Sequence, residues 1–406
     1  MENRSLYLDI WQEVSAGKNM IFLAGPRQAG KTTLAKGISL DFANRVYFNW
    51  DIMEDRTRLI ENPAFFTEAG RKDATVPLVI LDEIHKYREW KNYLKGVYDR
   101  FGEEFRFLVS GSGRLDLYQK GSDSLAGRYF LFHLWPFTIA EVGERRRDIT
   151  AFLANPLDID MNEQGRLREL WQRMATVSGF PEPFVSGKEN FYRRWSSTYS
   201  RQLIREDIRD LTGIKSITEV ETLYMLLPSR IGSPISAPSL ARDLKVSYNS
   251  IQSWLSVFET FFLTFSISPW TAKISRAIQK EKKVYLWDAP RIRNAAARFE
   301  NMVALELYRA VSSWNDMGLG DFALHFVKNK EQQEVDFLIA DGNRPLLLVE
   351  AKLAETRPSE ALKKYQSVLK IPAVQLFETG DRFKIIPNDR QRILVAPASQ
   401  WLAALP

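Results

Sequence analysis

The chain has 406 residues, no cysteine, 45% hydrophobic residues and a formal net charge of +6. That length allows two or three domains with cores of their own, and the lack of thiols excludes disulfides and thiolate-bound metals. The mild basic excess permits nucleic acid as a partner without demanding it, because the charge must also cluster.

Met1 to Asp9 lack the apolar stretch of a secretory signal, and there is no run of about 18 apolar residues to span a bilayer. A cytoplasmic chain without a membrane partner is expected. Residues 1–19 read as an amphipathic helix ending near Gly17. Met20 to Ala24 reads as a buried parallel strand. Gly25, Pro26, Arg27, Gln28, Ala29, Gly30, Lys31, Thr32 and Thr33 follow, and Leu34 to Ile38 reads as the start of a helix. This is a complete G-x-x-x-x-G-K-[ST] phosphate loop between strand and helix, the context the motif requires. Its backbone N–H groups and the helix N-terminus face an anion. Lys31 is expected to neutralise the phosphates of ATP, and Thr32 to sit on Mg2+.

Val46 to Asp51 reads as a second strand. Pro77 to Glu83 reads as a third, ending in two carboxylates. Asp82 is the expected Mg2+ ligand, and Glu83 is placed to orient and deprotonate the attacking water. Phe105 to Ser110 is a fourth strand, running into Gly111, Ser112 and Gly113. A hydroxyl there is placed to meet the water or the γ-phosphate. Tyr129 to Leu134 is a fifth. Strands alternating with helices indicate a parallel α/β sheet with its ligand at the carboxyl edge. Arg114 and Arg128 are candidates for an arginine delivered to a neighbouring subunit's nucleotide.

From Trp135 to about residue 214 the pattern is mostly helical and charged. Ser239 to Val246 followed by Ser247 to Leu255 has a helix-turn-helix rhythm, with Ser247 as an N-cap. Tyr248, Asn249 and Gln252 then fall near an exposed face that could meet DNA, and Ile251, Trp254, Leu255 and Phe258 form a core stripe. Lys273, Arg276, Lys280, Lys282 and Lys283 form a basic cluster, read either as a phosphate track or as a solvated charge run. Beyond them, strand and helix signals alternate again. Glu300 lies on a helix. Glu334 and Asp336 share a face of one strand, and Glu350 and Lys352 share a face of the next, after an Asp341-Gly342 turn.

These segments together resemble the prokaryotic AAA+ type ATPases that carry a C-terminal DUF4143 domain. The resemblance rests on the phosphate loop, Leu81 to Lys86, Ser110-Gly-Ser112, Ser124 to Arg128 and Trp135-Pro-Phe. It also rests on Gly179-Phe-Pro181, Arg205 to Ile208 and Lys283 to Asp288. Ser178 departs from it, since the family usually places glycine there. The resemblance implies an α/β ATPase core (1–135), a helical lid (136–214), a winged-helix segment (215–272) and a nuclease-like α/β domain (273–406). It also implies a homo-oligomer, with a ring as one form.

The C-terminal residues are similar to the PD-(D/E)xK nuclease pattern, with Asp336, Glu350 and Lys352 at its core, Glu300 as the helical acid and Gln366 as an auxiliary. Val335 departs from it, standing where proline is usual. The resemblance implies carboxylates that hold Mg2+; the alternative is a nuclease-like fold used for docking. The expected function is an ATPase working on DNA. A DNA nuclease regulated by its ATPase domain, and a nucleotide-controlled binding switch, are the alternatives.

Overall fold

A computed structural model describes residues 4–111, 125–209, 214–271 and 281–406. The chain divides into two compact units, Met1–Pro136 with Thr260–Phe262, and Phe137–Glu259 with Leu263–Pro406.

The first unit is built on five parallel strands, β1 (Met20–Ala24), β2 (Arg45–Asn49), β3 (Leu78–Asp82), β4 (Arg106–Ser110) and β5 (Phe130–His133), in the order β2-β3-β4-β1-β5. Every residue of β1 and β3 is buried. Strands covered on both faces need continuous apolar runs rather than alternation, and that is how these segments read. Helices α1 (Ser5–Ala16), α2 (Lys31–Ile38), α3 (Met53–Glu61) and α4 (Trp90–Phe101) belong to the same unit. Part of the core is aromatic: Phe66 meets Phe101, Phe105 and Phe107 edge-on at 5.3, 5.1 and 5.5 Å. Register pairs Asn49 with Asp82, Asp82 with Ser110 and Ser110 with Leu23. The carboxyl ends of β2, β3, β4 and β1 therefore form one edge, where ligands of open α/β sheets bind.

The second unit begins with helices, among them Gln164–Val177, Pro181–Ser186 and Glu189–Gln202. Ser178, just after the first, has φ +74, which explains why glycine is favoured at that position. Gly179 is required for a different reason: a Cβ there would lie 2.3 Å from the Phe137 carbonyl oxygen. Helices Ile217–Leu226, Ala237–Leu244 and Tyr248–Thr260 then lead into an antiparallel pair of β6 (Thr264–Pro269) and β7 (Lys283–Leu286). Ser247 caps as expected, accepting from the Ser250 N–H at 3.0 Å.

This pair continues into a mixed sheet with β8 (Phe322–Lys328), β9 (Glu334–Asp341), β10 (Arg344–Ala354), β11 (Ala373–Thr379), β12 (Lys384–Asn388) and β13 (Gln391–Pro397). The order is β12-β13-β11-β10-β9-β8-β6-β7. Gly342 turns β9 into β10 with φ +53. The long helix Ala295–Asp316 packs on the sheet, its first turn capped by Asn294.

Within this helix Glu306 is buried, and its Oε1 accepts the Ile139 N–H at 2.7 Å. Burial pushes its carboxyl up to about 8, against the pull of Arg309 and the backbone donors. A raised acid binds its proton more tightly when folded. Its contribution to stability is complete below the usual carboxylate range and is lost as pH rises to about 8. Glu306→Gln keeps an acceptor and removes the ionisation. Denaturant unfolding at pH 6 and pH 8.5 should therefore show a smaller loss of stability for the glutamine variant than for the unchanged chain. Equal losses would contradict this.

Candidate nucleotide site and a second acidic cluster

The loop after β1 is shaped by positions that a side chain would spoil. Gly25 has φ +137, and a Cβ there would lie 2.2 Å from the Leu134 carbonyl oxygen. Gly30, with φ +99, ends the loop where α2 begins. Lys31 is 7% exposed and folds back on its own loop, its Nζ donating to the carbonyls of Gly25 at 2.9 Å and Pro26 at 2.8 Å. The buried guanidinium of Arg4 donates to the Ala29 carbonyl at 2.8 Å and to Trp135 at 2.6 Å, which ties the loop to the segment after β5. Sequence reading missed Arg4, because its partners are remote in the chain and no local pattern announces them.

Asp82, 1% exposed, stands at the end of β3. Its Oδ2 accepts from Thr32 Oγ1 at 2.7 Å and from the Tyr47 hydroxyl at 2.8 Å, while Ser110 Oγ donates to Oδ1. Three hydroxyls thus satisfy one buried carboxylate, which would otherwise be costly to desolvate. Burial and Asp82 together push the Tyr47 hydroxyl well above its ordinary range. Tyr47 was not anticipated; its signal is its place on β2, two residues before Asn49, the partner of Asp82. Of the two serines at the end of β4, Ser110 directs its hydroxyl to Asp82, and Ser112, the one expected to meet water or phosphate, lies outside the described residues. One carboxylate and one hydroxyl, Asp82 and Thr32, suit Mg2+, which keeps most of its shell as water and phosphate oxygen.

Glu83 follows in a left-handed backbone conformation, φ +56. Its Oε2 lies 3.2 Å from Lys86 Nζ and 3.7 Å from His85 Nε2. Lys86 also grips Asp51, at 2.6 and 2.9 Å. Burial pulls the Lys86 ammonium down, but the hydrogen bond to Asp51 and the charge of Glu83 outweigh it and hold it above its usual value. Arg128 forms a two-point pair with Asp99 of α4, at 2.7 and 3.1 Å. Ser112 and Arg114 lie outside the described residues.

In the second unit the expected acids do come together. Glu350 on β10 stands opposite Asp336 on β9, in line with the Val349–Phe337 pair, and Asp336 Oδ2 accepts the Ala351 N–H at 2.9 Å. Lys352 Nζ lies 3.0 Å from Glu350 Oε1. The expectation of a metal held by Glu300, Asp336 and Glu350 meets a different arrangement. Lys283, read from the sequence as part of a basic surface cluster, is fully buried among the acids. Its Nζ lies 2.6 Å from Glu334, 3.0 Å from Glu300 and 3.9 Å from Asp336. Burial alone would lower this ammonium; Glu300, Asp336 and Glu334 hold it above its ordinary value. Burial and the charge of Glu300 push the Asp336 carboxyl above its usual range, against the pull of Lys283. Among the described residues, no group of three or more His, Cys, Asp or Glu side chains is arranged to hold a metal.

Gln366, the expected auxiliary, is fully buried, and its amide donates to the Arg392 carbonyl and accepts from Asn388, each at 2.8 Å. Tyr248, Asn249 and Gln252 are exposed on the helix Tyr248–Thr260; of the expected stripe Ile251, Trp254 and Phe258 are buried and Leu255 is only partly so. Lys282 is exposed; Lys273, Arg276 and Lys280 lie outside the described residues. No helix among the described residues is long and apolar enough to cross a membrane.

Residues 17–143 match the model of an AAA domain, and residues 296–399 match the domain of unknown function DUF4143. Residues 168–302 match another domain of unknown function, DUF8612. The uncharacterized protein Rv2008c of Mycobacterium tuberculosis is 24% identical over 80% of this chain and 68% of its own length. The uncharacterized protein MJ1544 of Methanocaldococcus jannaschii is also 24% identical, over 80% of this chain and 74% of its own. Among solved structures, the Walker-type ATPase PABY2304 of Pyrococcus abyssi is similar at 16% identity and a TM-score of 0.43, over 72% of this chain and 95% of that one. The ORC1 protein of Aeropyrum pernix, solved in complex with DNA, is similar at 12% identity and a TM-score of 0.35, over 75% and 93%.

Proposed function

We propose that this chain, an AAA-type P-loop ATPase that carries a C-terminal DUF4143 domain, hydrolyses ATP with Mg2+ and couples hydrolysis to binding or remodelling DNA. The observation that carries the reading is the phosphate loop at the carboxyl end of β1, with Thr32 hydrogen-bonded to Asp82 across the sheet edge. The loop amides receive the phosphates. Lys31 leaves the Gly25 and Pro26 carbonyls to meet them. Thr32 and Asp82 would hold Mg2+, which neutralises phosphate charge when bound. Glu83 takes a proton from the attacking water.

Arg128, freed from Asp99, or Arg114 would serve a neighbouring copy in a homo-oligomer. Residues 136–214 are read as the lid, and the winged-helix segment as a DNA contact through Tyr248, Asn249 and Gln252.

Phosphate release measured with and without single-stranded, duplex and branched DNA tests the coupling. Stimulation by at least one form is expected, along with a DNA affinity that falls steeply between about 50 and 200 mM salt. Turnover indifferent to every form of DNA, together with no salt-sensitive binding, would remove DNA from the function.

A further inference from the structure

We propose that Lys283 is the resident cation of the C-terminal acidic cluster, a built-in ammonium that stands where the nuclease resemblance implies a divalent ion.

The lysine is held rigidly at its place. Its backbone pairs with Ile267 of β6 on one side and bridges to Pro234 on the other. The side chain is wholly buried, and its ammonium is shared by Glu300, Glu334 and Asp336, which come from the long helix and from β9. Tyr285, two residues on along β7, donates to the same Glu300 oxygen at 2.8 Å. Three carboxylates, those of Glu300, Glu334 and Asp336, surround the ammonium, and Glu350 with its own partner Lys352 lies on the neighbouring strand. A positive charge among the three is what makes such a cluster tolerable in a protein interior. A divalent ion would supply it through oxygen ligands; in this chain the Lys283 ammonium supplies it.

A second observation points to a cation. Glu350 is 2% exposed, and its Oε2 has no hydrogen-bond partner. A buried carboxylate oxygen is rarely left unsatisfied. It stands beside Asp336 with a lone pair to offer, and Lys352 reaches only the other oxygen. Solvent has a way in. A cavity of about 840 Å3, lined in part by Gly232, Arg291, Asn294, Ala297 and Glu300, opens against the Glu300 carboxylate. Gly232 borders it, and a Cβ there would lie 3.2 Å from Glu300 Oε2.

The test is a Mn2+ titration of the full chain without nucleotide, followed by electron paramagnetic resonance. Asp82→Asn is present throughout, so that the ATP site contributes nothing. With Lys283 in place, no saturable Mn2+ is expected at the cluster. Lys283→Met, which keeps the stem and removes the charge, should gain one Mn2+ per chain, and Glu350→Gln in that background should lose it again. Folding of each variant is checked by circular dichroism. The proposal is overturned if a folded Lys283→Met chain gains no site, or if its site is indifferent to Glu350→Gln. Should Lys283→Met fail to fold, the Lys283 chain alone still decides. Saturable Mn2+ binding or Mn2+-dependent DNA cleavage by it, abolished by Glu350→Gln, contradicts a resident ammonium. The absence of both upholds it.

Discussion

Glu83→Gln is expected to slow phosphate release about 10²–10⁴-fold, the usual contribution of a positioned general base, and to leave ATP affinity nearly unchanged. The expectation follows from position and charge. Glu83 directly follows the buried Asp82, its N–H donates to the Ser110 carbonyl at 3.0 Å, and its backbone is left-handed where the chain leaves the strand. Glutamine preserves size and hydrogen-bonding reach but cannot take a proton from water. The carboxylate now rests against Lys86, which is itself braced by Asp51. Glutamine would lose the ionic part of that contact, a half-buried pair in which Lys86 keeps Asp51 as a second partner, so the loss of stability should be small. Phosphate release and equilibrium ATP binding, measured on the same preparation, separate the two effects. Turnover equal to that of the unchanged chain would reduce Glu83 to an acid paired with a lysine.

Lys31→Ala is expected to weaken both steps. In the structure the Lys31 ammonium is bonded to two carbonyls of its own loop. Those bonds are available for exchange: phosphate oxygens offer a full counter-charge where the carbonyls offer dipoles. Removing the ammonium takes away a charge contact that strengthens as charge builds on the transferring phosphoryl group. Loss of one such preorganised donor typically costs about 10²–10³ in rate. The loop itself should survive, because its shape rests on Gly25 packed against Leu134 and on Arg4 bonded to Ala29. Steady-state phosphate release checks the rate, and an unchanged unfolding midpoint checks the loop.

Much of the first unit could be read directly from the residues. β1 occupies the expected Met20–Ala24, and the other four strands begin or end within one or two residues of their apolar runs. Two of the overshoots share a cause. Asp51 and Glu83 lie beyond the strands they follow, where the chain turns at the carboxyl edge; hydrophobic pattern marks a strand's body and not its end. Side-chain networks were less legible. Arg4 reaching Ala29 and Trp135, and Tyr47 reaching Asp82, join segments whose adjacency only the strand order decides. Lys283 is the clearest case. In a run of lysines and arginine it looks like a solvated charge, yet β7 inserts it among acids brought by the long helix and β9. Conversely, alternation along each strand indicates that Glu334 shares a face with Asp336 and Glu350 with Lys352, while the grouping of Asp336 with Glu350 was implied by the nuclease resemblance alone.

The proposed activity depends on the phosphate loop gripping ATP through its amides and Lys31. The most direct test is an equilibrium titration of ATP in Mg2+ with the unchanged chain and with Lys31→Ala. Saturable binding of one ATP per chain, weakened at least about tenfold by the substitution (roughly 1.4 kcal/mol), is the predicted result. No saturable binding to the unchanged chain, or equal affinity in the two proteins, would contradict it.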